Sequence, residues 1–510
     1  MTFIKNKYLI FIFAIILFTT ISSLVIFSND KIFDYDSFYH LGHTKIYRTD
    51  GFFSSSFPWA QYSTINKYSS DIWYGFHLFL IPFSFFSPLF AIRLSSVFLA
   101  VFFLLSFFYI LRSLNIKYPL FWSLLVFFSS GDFLFRINMS RPHILSLTLS
   151  LFIFYFLIKK NRLGIFFSAL LLSFFHASLF WLSFFVAFFF FLTSLILKEK
   201  INWLDLSFLS LGSLIGIFLR PNPLGSLKLI YVQIVEIILV KKANLPLKFG
   251  RELYPIDFSD VYFQFIPLAL IFILSSVLLF YLFKNLNQSQ KISSLSAFLI
   301  SFFFLLMSFF IARRSLTNFS VFSVLSLSLL SSFYFEKVSL NLKSKIFIYF
   351  FLFILLISSL GRSIYVVNLF LKNSDSAEKF KEVSLWLKEN SKEGDIVFNS
   401  YWDNFPNLFF WNHKNYYRGG MDPIFQYSFN QNLFWKAYFI AYTGQPFTCG
   451  YIRCTEDMTE DIYDVLKNNF KASYVIVEKR RSPNLNKNLE NLSKFENVFE
   501  NNEEVLYKIN

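Results

Sequence analysis

Two carboxylates one residue apart, Asp34 and Asp36, stand just past the first apolar run, in Phe33-Asp34-Tyr35-Asp36-Ser37-Phe38-Tyr39-His40-Leu41-Gly42-His43. A carboxylate close to a membrane boundary is costly unless it is used, paired or solvated. Placed there, either group could take a proton from an acceptor hydroxyl or offer oxygen to a divalent cation. His40 and His43 add imidazoles that titrate near neutral pH. Solvated polar residues on an interfacial helix would give the same string. The second chemical set is cationic: Arg136, Arg141, Arg220, Arg251, Arg313 and Arg314, with lysines at 228, 241, 242 and 248. Guanidinium groups gathered at one membrane face suit a phosphate, which they grip through paired N–H donors.

The elements that position these groups follow from composition. Of the 510 residues 55% are apolar and only 15% charged, and mean hydropathy is +0.50. A soluble domain carries about 25% charged residues, so lipid is the expected solvent. The net charge of +15 would point to nucleic acid in a soluble protein. Here the basic residues sit mostly in short loops between apolar runs and report orientation instead. No nucleic-acid partner is expected.

Apolar runs fall at about 8–27, 92–111, 119–135, 142–158, 163–176, 177–197, 204–219, 261–283, 292–311, 316–335 and 345–367. With Lys5 and Lys7 inside, the clusters at 159–162, 198–200, 284–291 and 337–345 also fall inside. That gives about eleven transmembrane helices, with the N-terminus cytoplasmic and the C-terminus outside. The segment 72–91 breaks the parity if it spans, and is expected to lie on the outer face, interrupted by His77 and two prolines. Outer loops are then 28–91, 136–141 and 220–260, and Arg313 and Arg314 meet the outer boundary. The expected organisation is a membrane module over 1–373 and a soluble extracytoplasmic α/β domain over 374–510. In that domain 376–390 reads as an amphipathic helix. Asp395–Asn399 and Ala472–Glu478 read as strands, with a helix at about 458–470 between them. Phe495–Glu500 and Glu504–Ile509 form a hairpin around Asn501-Asn502. Cys449 and Cys454, both in this domain, suit a short-loop disulfide in an oxidising compartment, or two free thiols.

A first outer loop opening Asp-x-Asp-Ser-Phe-Tyr-His and running on to Gly51 and Phe57-Pro58-Trp59 resembles the GT-C superfamily of membrane glycosyltransferases. These include the oligosaccharyltransferase catalytic subunit, the protein O-mannosyltransferases and the lipid-A aminoarabinose transferases. The resemblance implies that an acidic residue beyond helix one is catalytic or metal-binding, and that juxtamembrane helices precede helix two, where 72–91 falls. Looser matches are Gly131-Asp132 with Arg136, Arg141-Pro142-His143, Arg251-Glu252 before helix eight, and Tyr401-Trp402-Asp403-Asn404. The last is similar to a Trp-Trp-Asp-Tyr acceptor motif without its first Trp and its Tyr.

These readings combine into an inverting transferase in the cytoplasmic (inner) membrane. It would move a sugar from a polyprenyl-phosphate-linked donor to a glycan, lipid or protein acceptor at the outer face. Asp36, with Asp34, is the expected catalytic group, and Arg141, Arg220, Arg313 and Arg314 the donor-phosphate ligands. His40, Asp132, His143, Glu252, Trp402 and Asp403 are expected near the acceptor or behind the catalytic groups. Asp36 and Asp132 would hold a divalent cation, Mg or Mn, should the reaction use one; no other cofactor is expected. Two rival readings share much of this layout. A flippase or transporter of lipid-linked glycans would carry the same spans, but no internal repeat is evident and the carboxylates sit at one face. A non-catalytic GT-C-like assembly factor is the other.

Overall fold

The computed structural model describes residues 2–257, 265–338, 341–450 and 454–510, with side chains from residue 8 onward. The chain divides into two compact units. The first is Met1–Asp34, Leu89–Ile217 and Gly250–Asp375; the second is Tyr35–Pro88, Phe218–Phe249 and Ser376–Asn510.

Among the described residues eight helices are long and apolar enough to cross a membrane. They are Tyr8–Phe27, Pro88–Ser113, Ala177–Ile196, Pro223–Lys242, Ile266–Asn285, Gln288–Phe310, Arg313–Lys337 and Leu342–Lys372. A ninth is made if Pro119–Phe127 and Gly131–Ile137, bent by 94°, count as one broken span. The chain is therefore a multi-pass membrane protein. Three further apolar helices, His143–Lys159, Arg162–Phe175 and Trp203–Phe218, are shorter. Helices stand at the positions of the eleven expected runs, but length and composition support eight or nine spans.

One helix lies where a loop was expected. Pro223–Lys242 falls inside the stretch 220–260 and is helical throughout, with a π-helical turn at Val232–Glu236. The Asn222 side chain caps it by accepting the Gly225 N–H, and Pro223 opens it. Both are strong start signals. Lys228, Glu236, Lys241 and Lys242 lower the hydropathy of the run, which hid it. The segment 72–91 forms the short helices Tyr74–Phe79 and Ile81–Phe85 before Pro88, neither long enough to span.

Inside the first unit, small residues let helices approach. A Cβ on Gly212 would lie 2.3 Å from the Phe166 carbonyl oxygen, and one on Gly216 would lie 2.2 Å from that of Leu170. The Gly-x-x-x-Gly spacing of Trp203–Phe218 thus sets it backbone to backbone against Arg162–Phe175. Serine pairs join other helices, Ser275 to Ser326 and Ser301 to Ser323, each at 2.6 Å between hydroxyls. Large apolar side chains such as Phe280 and Phe310 stay exposed, as a lipid-facing surface requires.

The second unit carries a five-stranded sheet. Its strands are β1 (Ile396–Asn399), β2 (Tyr416–Tyr417), β3 (Ala472–Glu478), β4 (Phe495–Glu500) and β5 (Glu504–Ile509), in the order β2-β1-β3-β5-β4. β1 pairs in parallel with β2 and β3, and β5 runs antiparallel to β3 and β4. The β4–β5 turn is held by Asn501, whose side-chain oxygen accepts from the Glu503 and Glu504 N–H groups. Phe398, Phe470, Val475, Val477, Leu485 and Leu489 fill the core against the sheet. Cys449 and Cys454 form a disulfide, with Cα atoms 5.5 Å apart.

Replacing Gly212 or Gly216 with Val should destabilise the protein by about 1–3 kcal/mol each, because the helices must part. The readout is a lowered thermal unfolding midpoint in detergent. Gly361→Ala is the control, since a Cβ there meets nothing within 4 Å.

Candidate functional site

The break between Pro119–Phe127 and Gly131–Ile137 brings acid and base into the first unit. Ser130 caps the second piece by accepting the Phe133 N–H at 3.1 Å, and Asp132 sits in its first turn, where a negative charge is favoured. Gly131 is required by packing, because a Cβ there would lie 2.4 Å from the side chain of Val366. Arg313 Nε donates to Asp132 Oδ1 at 2.9 Å, and both side chains are buried. The second oxygen of Asp132 has no hydrogen bond.

Arg313 and Arg314 occupy a single turn, Arg313–Ser315, between two long helices. The loop around Glu252 is pinned to that turn. Arg313 N–H donates to the Tyr254 carbonyl at 2.7 Å, and Ile256 N–H donates to that of Ser308 at 3.0 Å.

Arg141 grips Asp34 with two parallel bonds, Nε to Oδ2 at 2.5 Å and Nη2 to Oδ1. Arg136 Nε donates to the Thr317 hydroxyl at 3.1 Å, and its charge lies within reach of Asp132, Glu252, Arg141 and Asp34. Burial pushes the Glu252 carboxyl up, but Arg141, Arg136 and Arg314 outweigh it and hold the group below its ordinary value. His143 Nε2 faces the Arg136 carbonyl at 3.2 Å; only the tautomer protonated there can donate. The result is four guanidinium groups, Arg136, Arg141, Arg313 and Arg314, interleaved with three carboxylates. Every carboxylate of the set faces a guanidinium. Guanidinium groups held in this way are a chemistry that suits an anion.

The remaining expected residues fall in the second unit. Asp36 is the first residue of the helix Asp36–Asp50. Spacings of four, seven and eleven place His40, His43 and Tyr47 on its side of that helix. There they meet Asp71 and His77. Asp71 Oδ2 accepts from His77 Nδ1 at 2.6 Å and from the Tyr47 hydroxyl at 2.9 Å, and Oδ1 accepts from the Trp73 N–H at 2.8 Å.

Burial raises the Asp71 carboxyl, yet His77 and His43 and these bonds hold it well below the usual carboxylate range. Burial drives the His43 imidazole down to about 3, against the pull of Asp71. His43, Asp71 and His77 are ligand types whose atoms lie within 4.8 Å of one another, so this buried group could hold a divalent cation.

Arg220 belongs to this unit as well and donates to the Asp71 carbonyl at 3.1 Å. Burial lowers its guanidinium to about 10, opposed by Asp71, Tyr47 and Tyr74. Trp402 Nε1 donates to the Lys248 carbonyl at 3.2 Å, and Asp403 pairs with Arg481 at 3.1 Å.

Of the expected site residues, Asp34, Asp132, Arg141, His143, Glu252, Arg313 and Arg314 fall in the first unit, and Asp36, His40, Arg220, Trp402 and Asp403 in the second. Sequence reasoning missed Asp71 as a partner, because nothing in Asp71-Ile-Trp-Tyr-Gly-Phe-His77 marks that spacing.

Comparison with protein-family models finds no match, and none is found among curated proteins. Solved structures do match. The archaeal oligosaccharyltransferase AglB from Archaeoglobus fulgidus, in complex with an inhibitory peptide and a dolichol-phosphate, aligns with TM-score 0.62 and 11% identity, over 99% of this chain and 74% of its own. ArnT from Cupriavidus metallidurans, bound to undecaprenyl phosphate, gives 0.53 and 11% over 96% and 97%. The arabinofuranosyltransferase AftD from Mycobacteria gives 0.58 and 12% over 97% of this chain, which spans 41% of AftD. At such identities the likeness is one of fold. The expected arrangement of many membrane helices with a small sheet domain is shared at that level, and no single protein among them is picked out.

Arg313→Met should destabilise the protein by about 3–5 kcal/mol, since it strands the buried Asp132 carboxylate. The double variant Asp132→Leu/Arg313→Met should recover most of that loss. Thermal unfolding of the purified proteins in detergent reads both.

Proposed function

We propose that the chain is a membrane glycosyltransferase that moves a sugar from a polyprenyl-phosphate-linked donor to an acceptor at the outer face of the cytoplasmic membrane. The observation that carries this reading is the cluster of Arg136, Arg141, Arg313 and Arg314. It is held together by Asp34, Asp132 and Glu252, in a fold shared with AglB and ArnT, which were solved with a dolichol-phosphate and with undecaprenyl phosphate. Function is carried across by fold analogy, and the arginines are what make the analogy specific.

In this mechanism the guanidinium groups take up the charge that develops on the donor phosphate as the bond from the anomeric carbon to phosphate oxygen breaks. Asp34 is already committed to Arg141 by two hydrogen bonds, so its part is to aim that arginine. Asp36, two residues along the chain, takes the proton from the acceptor hydroxyl as its oxygen attacks the anomeric carbon from the opposite side. One displacement inverts the configuration there. His40, one turn on from Asp36, supports that carboxylate, while Trp402 and Asp403 contribute to the acceptor side. The positive-inside accounting supports an inner N-terminus and an outer sheet domain.

Membranes lacking the protein, complemented with wild type or variants, test the reading. Asp36→Asn should lower transfer by about 10²–10⁴-fold and let the lipid-linked sugar accumulate. Arg141→Gln should lower transfer by about 10²–10³-fold. Full complementation by Asp36→Asn at normal expression would remove it as the base and favour a transporter of lipid-linked glycans.

A further inference from the structure

Asp71 has no part in the transfer chemistry above, yet it is the centre of a buried polar cluster in the second unit. Three segments meet at it: the helix Asp36–Asp50, the stretch leading into Trp73, and the helix Tyr74–Phe79. His43, Asp71 and His77 are all buried. Each imidazole turns one nitrogen toward Asp71 Oδ2, His77 Nδ1 at 2.6 Å and His43 Nε2 at 4.0 Å. The other nitrogen of each ring is held by a neighbour. His43 Nδ1 lies 3.2 Å from the Tyr39 hydroxyl, and His77 Nε2 lies 2.8 Å from His40 Nδ1. Imidazoles that bind a metal are held in this way, with the non-ligating nitrogen tied to an outer group that fixes ring and tautomer.

We propose that His43, Asp71 and His77 bind one zinc ion, which staples the first-loop helices together and takes no part in sugar transfer. Two imidazole nitrogens and a carboxylate oxygen are ordinary zinc ligands, and bonds of about 2.0–2.2 Å in a tetrahedron set ligand atoms about 3.3 Å apart. The His77 contact with Oδ2 is shorter than this spacing, and the His43 contact is longer by a similar amount. An ion entering here would part Oδ2 from His77 Nδ1 and draw His43 Nε2 closer to it, and the three ligand atoms already lie within 4.8 Å of one another. The Tyr47 hydroxyl, 2.9 Å from the same oxygen, is the fourth group within reach. Magnesium would want about six oxygens and would keep several waters, which a nitrogen-rich, closed pocket does not offer.

Burial also argues for a structural ion, since a catalytic zinc keeps an open position and structural sites are closed. The need for a staple is visible in the chain. Between Asp50 and Trp73 the regular structure is one five-residue helix, Thr64–Tyr68. Fixing both ends of that long connection removes loop entropy from the unfolded state.

The test uses full-length protein purified in detergent from zinc-supplemented cells and washed with EDTA. Metal analysis by mass spectrometry should find about one zinc per chain in wild type, and about none in His43→Gln or His77→Gln. Stripping wild type with phenanthroline should lower the thermal midpoint, and added zinc sulfate should restore it. Should the variants fail to fold, zinc-edge X-ray absorption on wild type decides: imidazole scattering with a nitrogen and oxygen shell supports the assignment, and a sulfur or oxygen-only shell overturns it. Wild type with less than about a tenth of an equivalent of zinc, and no response to added zinc, overturns it and leaves Asp71 a hydrogen-bonded carboxylate. Zinc retained by both folded variants places the ion elsewhere and overturns it too. Transfer activity enters none of these measurements, so the result stands apart from the function proposed above.

Discussion

A charge removed from water must meet an opposite charge or lose its own, because the cost of leaving it alone is several kcal/mol. The first unit is arranged around that rule. Asp34 faces Arg141, Asp132 faces Arg313, and Glu252 lies within the field of three arginines. These residues are far apart in sequence, and they meet where regular helix gives way: at the 94° bend before Gly131, at the turn Arg313–Ser315, and at Arg251–Leu253. Interrupted backbone is tolerated at membrane depth only where its N–H and C=O groups find partners in the protein. The bonds from Arg313 N–H to the Tyr254 carbonyl and from Ile256 N–H to the Ser308 carbonyl supply them, and fix the charged side chains in the same stroke.

Holding those breaks in register falls to the helices around them. With 77 phenylalanines the chain has apolar bulk to spare, and lipid offers no hydrophobic drive for one helix to prefer another. Specific association then depends on close approach and on hydrogen bonds between helices. Gly131 against Val366 sets the arm that carries Asp132, and Gly212 and Gly216 set the shorter helices behind it. Hydroxyl pairs such as Ser301 with Ser323 tie the helices on either side of Arg313. The glycines and serines position the arginines, and the phenylalanines fill what is left.

How much of this was legible in the sequence depended on the range of the signal. The β4–β5 hairpin was readable because alternation and an Asn-Asn turn are local. Asp34 and Asp36 drew notice because two carboxylates at the end of an apolar run are costly by position alone. Pro223–Lys242 was hidden: four charged side chains diluted its hydropathy, and a basic stretch read as loop although Asn222-Pro223 is a good helix start. The partner of each acid was not readable at all. That Asp132 would take Arg313 and Asp34 would take Arg141 is a fact of tertiary packing across more than a hundred residues. Arg220 shows the same limit, since its charge was visible in the sequence while nothing there marked its bond to the Asp71 carbonyl.

The two polar clusters follow the same charge rule. In the first unit Asp34 and Asp132 each meet a guanidinium, and Glu252 lies in the field of Arg141, Arg136 and Arg314. In the function proposed above, a donor phosphate would meet arginines that the carboxylates already hold in place; donors fixed beforehand are what makes such a site effective as negative charge builds up. A donor bound there would stabilise the folded protein, since a ligand bound only by the native state shifts the unfolding equilibrium toward it. In the second unit one Asp71 carboxylate oxygen is shared between two imidazoles and a phenol. There the proposed occupant is a cation. One physical constraint, applied to two residue sets, underlies both proposals: an anion that comes and goes with turnover at the first, and an ion that stays at the second.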